Sequence, residues 1–327
     1  MDSNLSLILT TLLAIALGSG GVVAIFYGLN VLVEKSFSQA RQEKILPWVY
    51  LGPALLLLGA YLILPALWTI YLSFFNNNST QFVGLQNYLF AFTSSDMLIA
   101  FRNNIWWLVL VTSISVGLGL IIAVLVDRVR YEPLAKSLIF LPMAISFVGA
   151  SVIWRFMYAY RPLGTEQVGL LNAVVVSLGF EPVAWLVERD INNFALIVIM
   201  IWLQTGFCMV LLSSAVKAVP KDVIEAARID GASELQIFRR IIIPMITPTI
   251  TVVATTVIVL VLKVFDIVFV MTGGNLDTDV IASRMMKEMF NFRNFGRGSA
   301  IAVILLIAVI PVMVANIKRF QQQERNR

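Results

Sequence analysis

The chain has 327 residues, of which 59% are hydrophobic and only 13% charged, and its mean hydropathy is +0.87. A soluble domain has roughly a quarter of its residues charged, so this composition excludes a soluble globular protein. The chain has no histidine and one cysteine, which excludes imidazole metal sites, histidine-based catalysis and an internal disulfide. Its net charge of +5 comes mostly from basic residues between apolar runs, so the charge reports membrane topology rather than nucleic-acid binding.

Several apolar runs are long enough to cross a membrane. About 20 residues at 1.5 Å per residue span a hydrocarbon core of about 30 Å, and each span must be helical because lipid offers the backbone no hydrogen bonds. We therefore predict an all-α polytopic membrane helix bundle, with one extra N-terminal helix added to a six-helix core. The predicted spans are residues 6–33, 48–75, 105–126, 137–160, 194–216, 249–272 and 299–317.

Basic residues are concentrated in alternate segments between these spans. Four segments, after the first, third, fifth and seventh spans, hold 15 of the 24 lysines and arginines. These are Lys35, Arg41, Lys44, Arg128, Arg130, Lys136, Lys217, Lys221, Arg228, Arg239, Arg240, Lys318, Arg319, Arg325 and Arg327. The positive-inside rule makes these segments cytoplasmic, which predicts a bacterial plasma-membrane protein with its N-terminus outside and its C-terminus in the cytoplasm.

The external loop 273–298 has apolar residues at helical spacing between Ile281 and Phe290, with charged residues among them. This pattern predicts an amphipathic helix on the outer membrane face. An Asn-x-Asp-x-Asp run at 275–279 is spaced like the start of a calcium loop, but the glycine and glutamate required further along are missing, so we predict no metal site. Arg155, near the outer end of the fourth span, is expected to snorkel to the membrane interface.

A polar segment at about 217–246 separates the fifth and sixth apolar runs. Pro220 ends the preceding span or opens a new helix, because proline is tolerated only in a first helical turn. The pattern predicts a short helix over residues 222–230. Gly231 stands where a left-handed C-terminal cap belongs.

A second helix is predicted directly after this glycine. Ser233 and Gln236 have capping-box spacing, and the helix is expected to be bent or stopped at Pro244. From these residues alone, an ordinary amphipathic connector resting on the membrane is an equal alternative to a docking element.

The full pattern of this segment is more specific: Glu225-Ala226-Ala227, then Gly231, then Ile241, Ile243 and Pro244. It resembles the cytoplasmic loop of the membrane subunits of binding-protein-dependent ABC importers, in particular the maltose-type sugar permeases. Further similar phrases lie at residues 82–88, 202–203, 264–266 and 272–274, so the resemblance covers about 50–320. Two positions depart from the family pattern, with Ile243 in place of leucine and Asn275 in place of proline.

The resemblance implies a type I ABC importer transmembrane subunit. Its domains would be an additional N-terminal transmembrane helix with a cytoplasmic linker (1–46) and a six-helix permease domain with the coupling loop (47–327). The chain would bind no cofactor, because ATP and magnesium are bound by a partner ATPase, and the sequence has no phosphate-binding loop of its own. We therefore predict a non-catalytic subunit.

The implied partners are a second homologous permease subunit, two copies of an ABC ATPase subunit and an external sugar-binding protein, together with membrane lipid and without nucleic acid. Residues 285–320 look closest to permeases for α-glucosides and related compatible solutes. The resemblance therefore suggests sucrose, trehalose or glucosylglycerol as the imported solute.

In the resembling family, the cytoplasmic loop forms a coupling helix that docks into a cleft of the ATPase. The residues carried over to this role are Glu225, Ala226, Ala227, Asp230, Gly231 and Glu234. Small alanines allow close approach, Glu225 would pair with a basic residue of the ATPase, and Gly231 permits the turn.

Polar and aromatic residues within the spans are candidates for the solute pathway, because rings stack on sugars and amides bind hydroxyls. The predicted pathway residues are Trp202, Leu203, Gln204, Phe207, Thr256, Lys263, Ser146 and Phe147. Lys263 and Asp266 are three residues apart, so on a continuous helix they would share a face. The sequence leaves open whether they form a structural ion pair or face the substrate.

Two other functions remain as alternatives at this stage. A secondary transporter or channel would use Lys263 and Asp266 as a proton-responsive pair. An integral membrane transferase is disfavoured, because the chain has no histidine and no dense acidic cluster.

Overall fold

The computed structural model describes residues 3–127 and 129–325. Arg128 and Arg327, which contribute to the topology prediction, lie outside the described residues. The chain divides into two compact units, Met1–Thr69 and Ile70–Arg327. This division falls later than the predicted domain boundary between residues 46 and 47, and the assignment of the second span to the permease domain stays a prediction.

The first unit contains helix α1 (Ser3–Ser36), and helix α2 (Gln39–Leu72) begins in it. A π-helical turn at Gly59–Ile63 lies within α2. Because only Phe37 and Ser38 separate the two helices, the predicted cytoplasmic linker is almost entirely helical, which corrects the loop expected there. Their apolar side chains are largely exposed, as expected for surfaces that face lipid.

The second unit is built from eleven further helices in its described part. They are α3 (Gln86–Thr93), α4 (Ser95–Val126), α5 (Glu132–Phe140), α6 (Phe147–Met157), α7 (Leu170–Ser177), α8 (Asn192–Lys217), α9 (Lys221–Ile229), α10 (Glu234–Leu262), α11 (Asp266–Met271), α12 (Ile281–Met286) and α13 (Phe295–Arg325).

Six helices in the described residues are long and apolar enough to cross a membrane, and the bent pair α5–α6 makes a possible seventh. This agrees with the predicted all-α polytopic bundle. Two predicted spans are nevertheless broken. The span at 137–160 bends by 100° between α5 and α6, and the span at 249–272 is interrupted between α10 and α11.

The core of the second unit is centred on the seam between α4 and α8. A Cβ atom added to Gly119 of α4 would lie 2.6 Å from the Cβ of Cys208 on α8 and 2.9 Å from the backbone nitrogen of Met209. Only a glycine therefore allows the helices to approach this closely. Cys208 is fully buried in this seam and acts there as a small core residue.

The loop 273–298, which was predicted to be external, is part of the bundle, and this corrects its predicted position along the membrane face. The side-chain amide of Asn103 on α4 donates to the carbonyl oxygens of Asp277 (2.6 Å) and Asp279 (2.9 Å). Ile281 and Ser283 of α12 are buried. Helical spacing of apolar residues could not distinguish a protein core from lipid as the surface that covers them.

Four charged residues of this loop form ion pairs within the loop. Glu288 is only 1% exposed and accepts from Arg284 at 2.7 Å. Lys287 pairs with Asp279 at 2.9 Å. One carboxylate oxygen of Asp279, Oδ2, therefore takes part in an ion pair with Lys287.

Candidate functional site

Both helix breaks border one cavity of about 350 Å³. This volume lies within the range of about 300–1,000 Å³ found for small-molecule sites. The cavity is lined by Met143, Ile145, Ser146, Phe147, Val148, Leu203, Gln204, Leu260 and Asp266. Four of the eight predicted pathway residues, Ser146, Phe147, Leu203 and Gln204, are therefore brought together here.

The first break lies between α5 and α6. A 3₁₀ turn at Leu141–Ala144 follows α5, and Ile145 and Ser146 are extended, with ψ of 136° and 152°. The Ser146 hydroxyl then caps α6 by accepting from the backbone nitrogen of Gly149 at 3.0 Å. Irregular backbone at membrane depth is tolerated where it lines a cavity or lies buried in protein, as it does here.

The second break lies between α10 and α11. Lys263 follows the last residue of α10, and Asp266 is the first residue of α11. Among the described residues no ion pair joins them, because the break removes the helical geometry that would place them on one face. Each charge instead matches the helix end it occupies, a lysine at a C-terminus and an aspartate at an N-terminus.

The cavity contains two polar groups without protein partners. Gln204 on α8 is only 4% exposed, yet its amide makes no hydrogen bond to any described residue. Asp266 is half-buried and forms no ion pair within the described chain. Because buried polar groups are normally hydrogen-bonded, these two are suited to bind water or the hydroxyl groups of a solute.

The other predicted pathway residues lie outside this cavity. Trp202 packs edge-to-face on Trp154, with ring centroids 5.8 Å apart. Phe207 packs against the apolar core. Thr256 and Lys263 are exposed, and the Thr256 hydroxyl donates to the carbonyl four residues earlier at 2.9 Å. Contact of these residues with a solute stays a prediction.

Five cavity residues were not among the predicted pathway residues: Met143, Ile145, Val148, Leu260 and Asp266. Four are apolar and have no sequence signal that separates them from core or lipid-facing residues. For Asp266 a signal was available, since a Lys-x-x-Asp pattern inside an apolar run also fits the end of one helix and the start of another.

Arg155 joins the two short helices that border the cavity. Its guanidinium donates to the carbonyl oxygens of Val270 (2.8 Å) and Met271 (3.3 Å), which are the last carbonyls of α11. These carbonyls have no partner within their own helix, so Arg155 caps α11 from α6. The predicted snorkelling of Arg155 is therefore corrected to a helix-capping contact.

The predicted glycine turn of the polar segment 217–246 is confirmed. Gly231 has φ of +81°, and its nitrogen donates to the carbonyl of Arg228 at 3.0 Å. The nitrogen of Ala232 donates to the carbonyl of Ala227 at 3.0 Å. These two bonds form a Schellman motif, which satisfies the end of α9 and fixes the turn.

The helix after the turn begins as predicted and continues further than predicted. Ser233 and Gln236 form a reciprocal capping box. A π-helical turn at Phe238–Ile242 precedes Pro244, and the helix continues to Leu262. This wider turn accommodates the missing N–H and the ring of proline, so Pro244 neither stops the helix nor leaves a gap in it.

One face of α9 packs on the bundle and the other is exposed. Ile224 and Ala227 contact the apolar core, whereas Glu225 and Ala226 are exposed. Ile229 on the exposed side is 86% exposed. The motif does not specify this position, so the exposed isoleucine was not predicted from the sequence.

The predicted coupling residues at the turn are exposed, and one of them, Glu234, forms an ion pair. Asp230, Gly231 and Glu234 are exposed. Glu234 pairs with Arg228 at 2.8 Å across the turn, and this carboxylate raises the pKa of the Arg228 guanidinium above its usual value. Both side chains are about half exposed, so the pair orients the turn more than it stabilises it.

A polytopic bundle with a largely apolar cavity between broken spans and an ordered polar loop has the architecture expected of the membrane subunit of a transport system. Residues 115–325 match the family described as the binding-protein-dependent transport system inner membrane component, and the chain belongs to this family. It is therefore a multi-pass inner-membrane permease of an ABC importer. It is a non-catalytic subunit, and ATP binding lies in the partner ATPase.

Two relatives cover most of the chain. The osmoprotective compounds uptake permease protein GgtC of Synechocystis sp. is 73% identical over 279 residues, which are 85% of this chain and 100% of the relative. The alpha-glucoside transport system permease protein AglF of Rhizobium meliloti is 50% identical over 277 residues, which are 84% of this chain and 82% of the relative.

The fold is similar to that of a chain in the crystal structure of a bacterial ABC transporter that imports the acidic polysaccharide alginate. The TM-score is 0.74 at 20% identity, covering 86% of this chain and 99% of that chain. At this identity the likeness concerns the fold alone.

Proposed function

We propose that this permease imports a neutral, hydroxyl-rich osmoprotective solute of the α-glucoside kind. The relative at 73% identity is described as taking up osmoprotective compounds, and the relative at 50% identity as transporting alpha-glucosides. Sucrose, trehalose and glucosylglycerol satisfy both descriptions chemically, because each is an uncharged glucoside with many hydroxyl groups.

The proposal rests on two polar side chains that line one largely apolar cavity, the amide of Gln204 and the carboxylate of Asp266. Neither has a hydrogen-bond or ion-pair partner among the described residues. Gln204 can donate to and accept from hydroxyl groups, and Asp266 can accept from two of them. The ring of Phe147 offers an apolar face for the C–H surface of a sugar. The negative charge of Asp266 disfavours an anionic sugar at the same position.

The energy for import comes through the coupling loop. In the proposed assembly this chain pairs with a second, homologous permease subunit, two ATPase subunits bind on the cytoplasmic side, and an external binding protein delivers the solute. Glu225 and Ala226, with the turn at Gly231, dock into one ATPase, while Ala227 on the opposite face packs α9 on the bundle. Closing of the ATPases on ATP moves the loop and turns the cavity outward, and their separation after hydrolysis returns it inward.

The exposed face of α9 supports this docking role. Ile229 and Ala226 supply apolar and small surface, and the acidic residues at the rim would meet basic residues of the ATPase. The Schellman turn and capping box hold this face in one conformation before docking, which lowers the ordering cost of association.

The test is reconstitution of the complete transporter in liposomes, with labelled solutes supplied through the binding protein. We expect ATP-dependent uptake and stimulated ATP hydrolysis with sucrose, trehalose or glucosylglycerol. Stimulation only by charged solutes or amino acids would contradict the assigned solute class. Uptake by this chain without its ATPase, driven by a proton gradient, would support the secondary transporter instead.

The proposed topology places the N-terminus outside and the C-terminus in the cytoplasm. A green fluorescent protein fused to the C-terminus should fluoresce, because this protein folds in the cytoplasm but not after export in unfolded form. A dark C-terminal fusion in a correctly inserted, active permease would reverse the orientation.

A further inference from the structure

A compact set of charged side chains joins three helices at the end of the bundle that leads into the coupling loop. This charge cluster consists of four charged residues, Asp127, Glu132, Lys136 and Lys217, and of Ser213, whose hydroxyl lies among them. Lys136 contacts one oxygen each of Asp127 and Glu132 at 2.6 Å. It also donates to the hydroxyl of Ser213, which in turn donates to Asp127 at 2.8 Å. Lys217 pairs with Glu132.

The cluster is balanced in charge and largely shielded from solvent. Its two carboxylates face two ammonium groups. The side chains of Asp127, Glu132 and Lys136 are 14%, 24% and 19% exposed, whereas that of Lys217, at the edge of the cluster, is 52% exposed. The second carboxylate oxygen of Asp127 is buried without a partner among the described residues. Removing one charge from such a set leaves its partner unpaired in a poorly solvated place, which costs more than the loss of a surface pair.

The position of the cluster relates it to both functional elements. Lys217 is the last residue of α8, and the coupling helix α9 begins four residues later at Lys221. Lys136 lies in α5, which leads into the 3₁₀ turn at Leu141–Ala144 and the cavity residue Met143. The cluster therefore connects the start of the coupling loop directly to the half-helix that ends at the cavity.

A second contact holds the same two helices together nearer the cavity. A Cβ atom added to Gly206 of α8 would lie 2.4 Å from the carbonyl oxygen of Ile139 and 2.8 Å from the Cα of Phe140 on α5. Two fixed points along α5, one electrostatic and one steric, prevent it from rotating on α8. A displacement of α8 is thus carried to the break between α5 and α6 rather than lost in sliding.

We propose that the charge cluster is the joint through which movement of the coupling loop reaches the cavity, with Glu132, Lys136 and Lys217 as positioning residues. This inference rests on the proposed function, in which the coupling loop is moved by the ATPases. Without the joint, α5 is held on α8 at the Gly206 contact alone and can pivot about it, so the movement of α9 reaches the cavity incompletely and less solute is imported per ATP hydrolysed.

The first test uses charge reversal and its repair in the complete reconstituted transporter. Glu132→Lys and Lys217→Glu are each expected to lower the amount of solute imported per ATP hydrolysed by about tenfold. The double variant should restore this amount in part, because it rebuilds the exchanged pair while Lys136 and Asp127 each meet a like charge. Lys44→Glu is the matched control, because it makes the same charge change at an exposed lysine that is predicted to be cytoplasmic. We expect its import ratio to equal that of the unaltered protein.

The ratio separates a positioning role from a structural one. If the single reversals reduce only the yield of assembled complex, and each assembled complex keeps the normal import ratio, the inference is overturned. It is also overturned if the double variant is no better than the single variants, since the charges would then act independently.

A second measurement does not depend on knowing the solute. In a Met143→Cys, Cys208→Ala protein, a water-soluble thiol reagent should label the cavity thiol at rates that differ several-fold with and without ATP and vanadate. Glu132→Lys should abolish this difference while the ATPase remains bound. If the labelling rate still changes with ATP and vanadate in the Glu132→Lys protein, the proposed role of the charge cluster as a joint is refuted. If instead the Met143→Cys, Cys208→Ala complex without Glu132→Lys shows the nucleotide response but imports none of the tested glucosides, the proposed solute fails and the joint stands.

Discussion

The backbone conformation at Gly231 allows a sharp test of the coupling loop. Its φ of +81° lies in the left-handed region, where an alanine costs about 1–2 kcal/mol relative to its preferred conformations. A Cβ atom added at this position meets no atom within 4 Å in the chain itself. Gly231→Ala therefore strains the turn without a steric clash.

The expected size of the effect follows from this strain. At about 1.4 kcal/mol per tenfold change, 1–2 kcal/mol reduces the population of the docking-competent turn by about 5- to 30-fold relative to other loop conformations. Asparagine tolerates the left-handed region better than alanine although it is larger. We therefore expect Gly231→Ala to lower uptake by roughly this factor and Gly231→Asn to lower it much less.

The assay is ATP-driven uptake by reconstituted transporter, together with the amount of ATPase that co-purifies with the permease. Equal losses in Gly231→Ala and Gly231→Asn would show that space in the ATPase cleft matters, rather than the backbone angle. Normal uptake by both variants with the ATPase still bound would refute the coupling role of this turn.

Three further predictions concern the cavity and its supports. Gln204→Ala should raise the half-saturating concentration of solute delivered by the binding protein by about tenfold, since it removes one hydrogen bond of about 1–1.5 kcal/mol. An unchanged dependence of uptake on solute concentration would show that Gln204 does not contact the solute. Arg155→Gln should weaken the tie to the last carbonyls of α11 and lower the thermal stability of the purified permease, with Arg155→Lys intermediate because it keeps a positive donor. Equal stability of all three proteins would argue against the capping contact. Gly119→Val should destabilise the permease by about 1–3 kcal/mol or prevent its folding, because of the close contact with α8. Gly117→Val, on the same helix with no atom within 4 Å of an added Cβ, should not, and similar melting of both variants in detergent would contradict the tight seam.

The number of spans and the coupling turn could be predicted because each depends on local sequence. Apolar run length determines how many helices can cross the membrane, whatever their partners. The turn is encoded by residues with narrow conformational preferences: Gly231 for its positive φ, and Ser233 with Gln236 for the capping box. The turn and the capping box therefore appear at the predicted residues. The described residues contain six helices long enough to cross a membrane, or seven with the bent pair, against the seven spans predicted.

The breaks in two spans were not predicted, because hydropathy averages over about 19 residues and does not register three residues of irregular backbone. Pro142 and Ser146 in one span, and Lys263 and Asp266 in the other, contained the relevant signals as helix-end residues. The cavity depends on α6, α8, α10 and α11 meeting in space. Without that arrangement, Leu260 was indistinguishable from other apolar residues of the spans.

The external loop shows a related limit. Its charges look like the solvated face of a surface helix when they are considered alone. Arg284 in fact pairs with Asp96 of α4 and with Glu288, and Asn103 holds the loop backbone from far away in sequence. Such pairings form only when distant segments meet, so neither periodicity nor charge spacing could have predicted them.

The glycine contacts have a consequence for how the permease opens. Gly119 locks α8 to α4, and Gly206 locks α8 to α5, so these three helices move as a single block. The guanidinium of Arg155 likewise makes α6 and α11 one piece. We expect the permease to open by bending at residues 145–146 and 263–265, so that a change in the angle between these two rigid parts releases the solute without repacking inside either part.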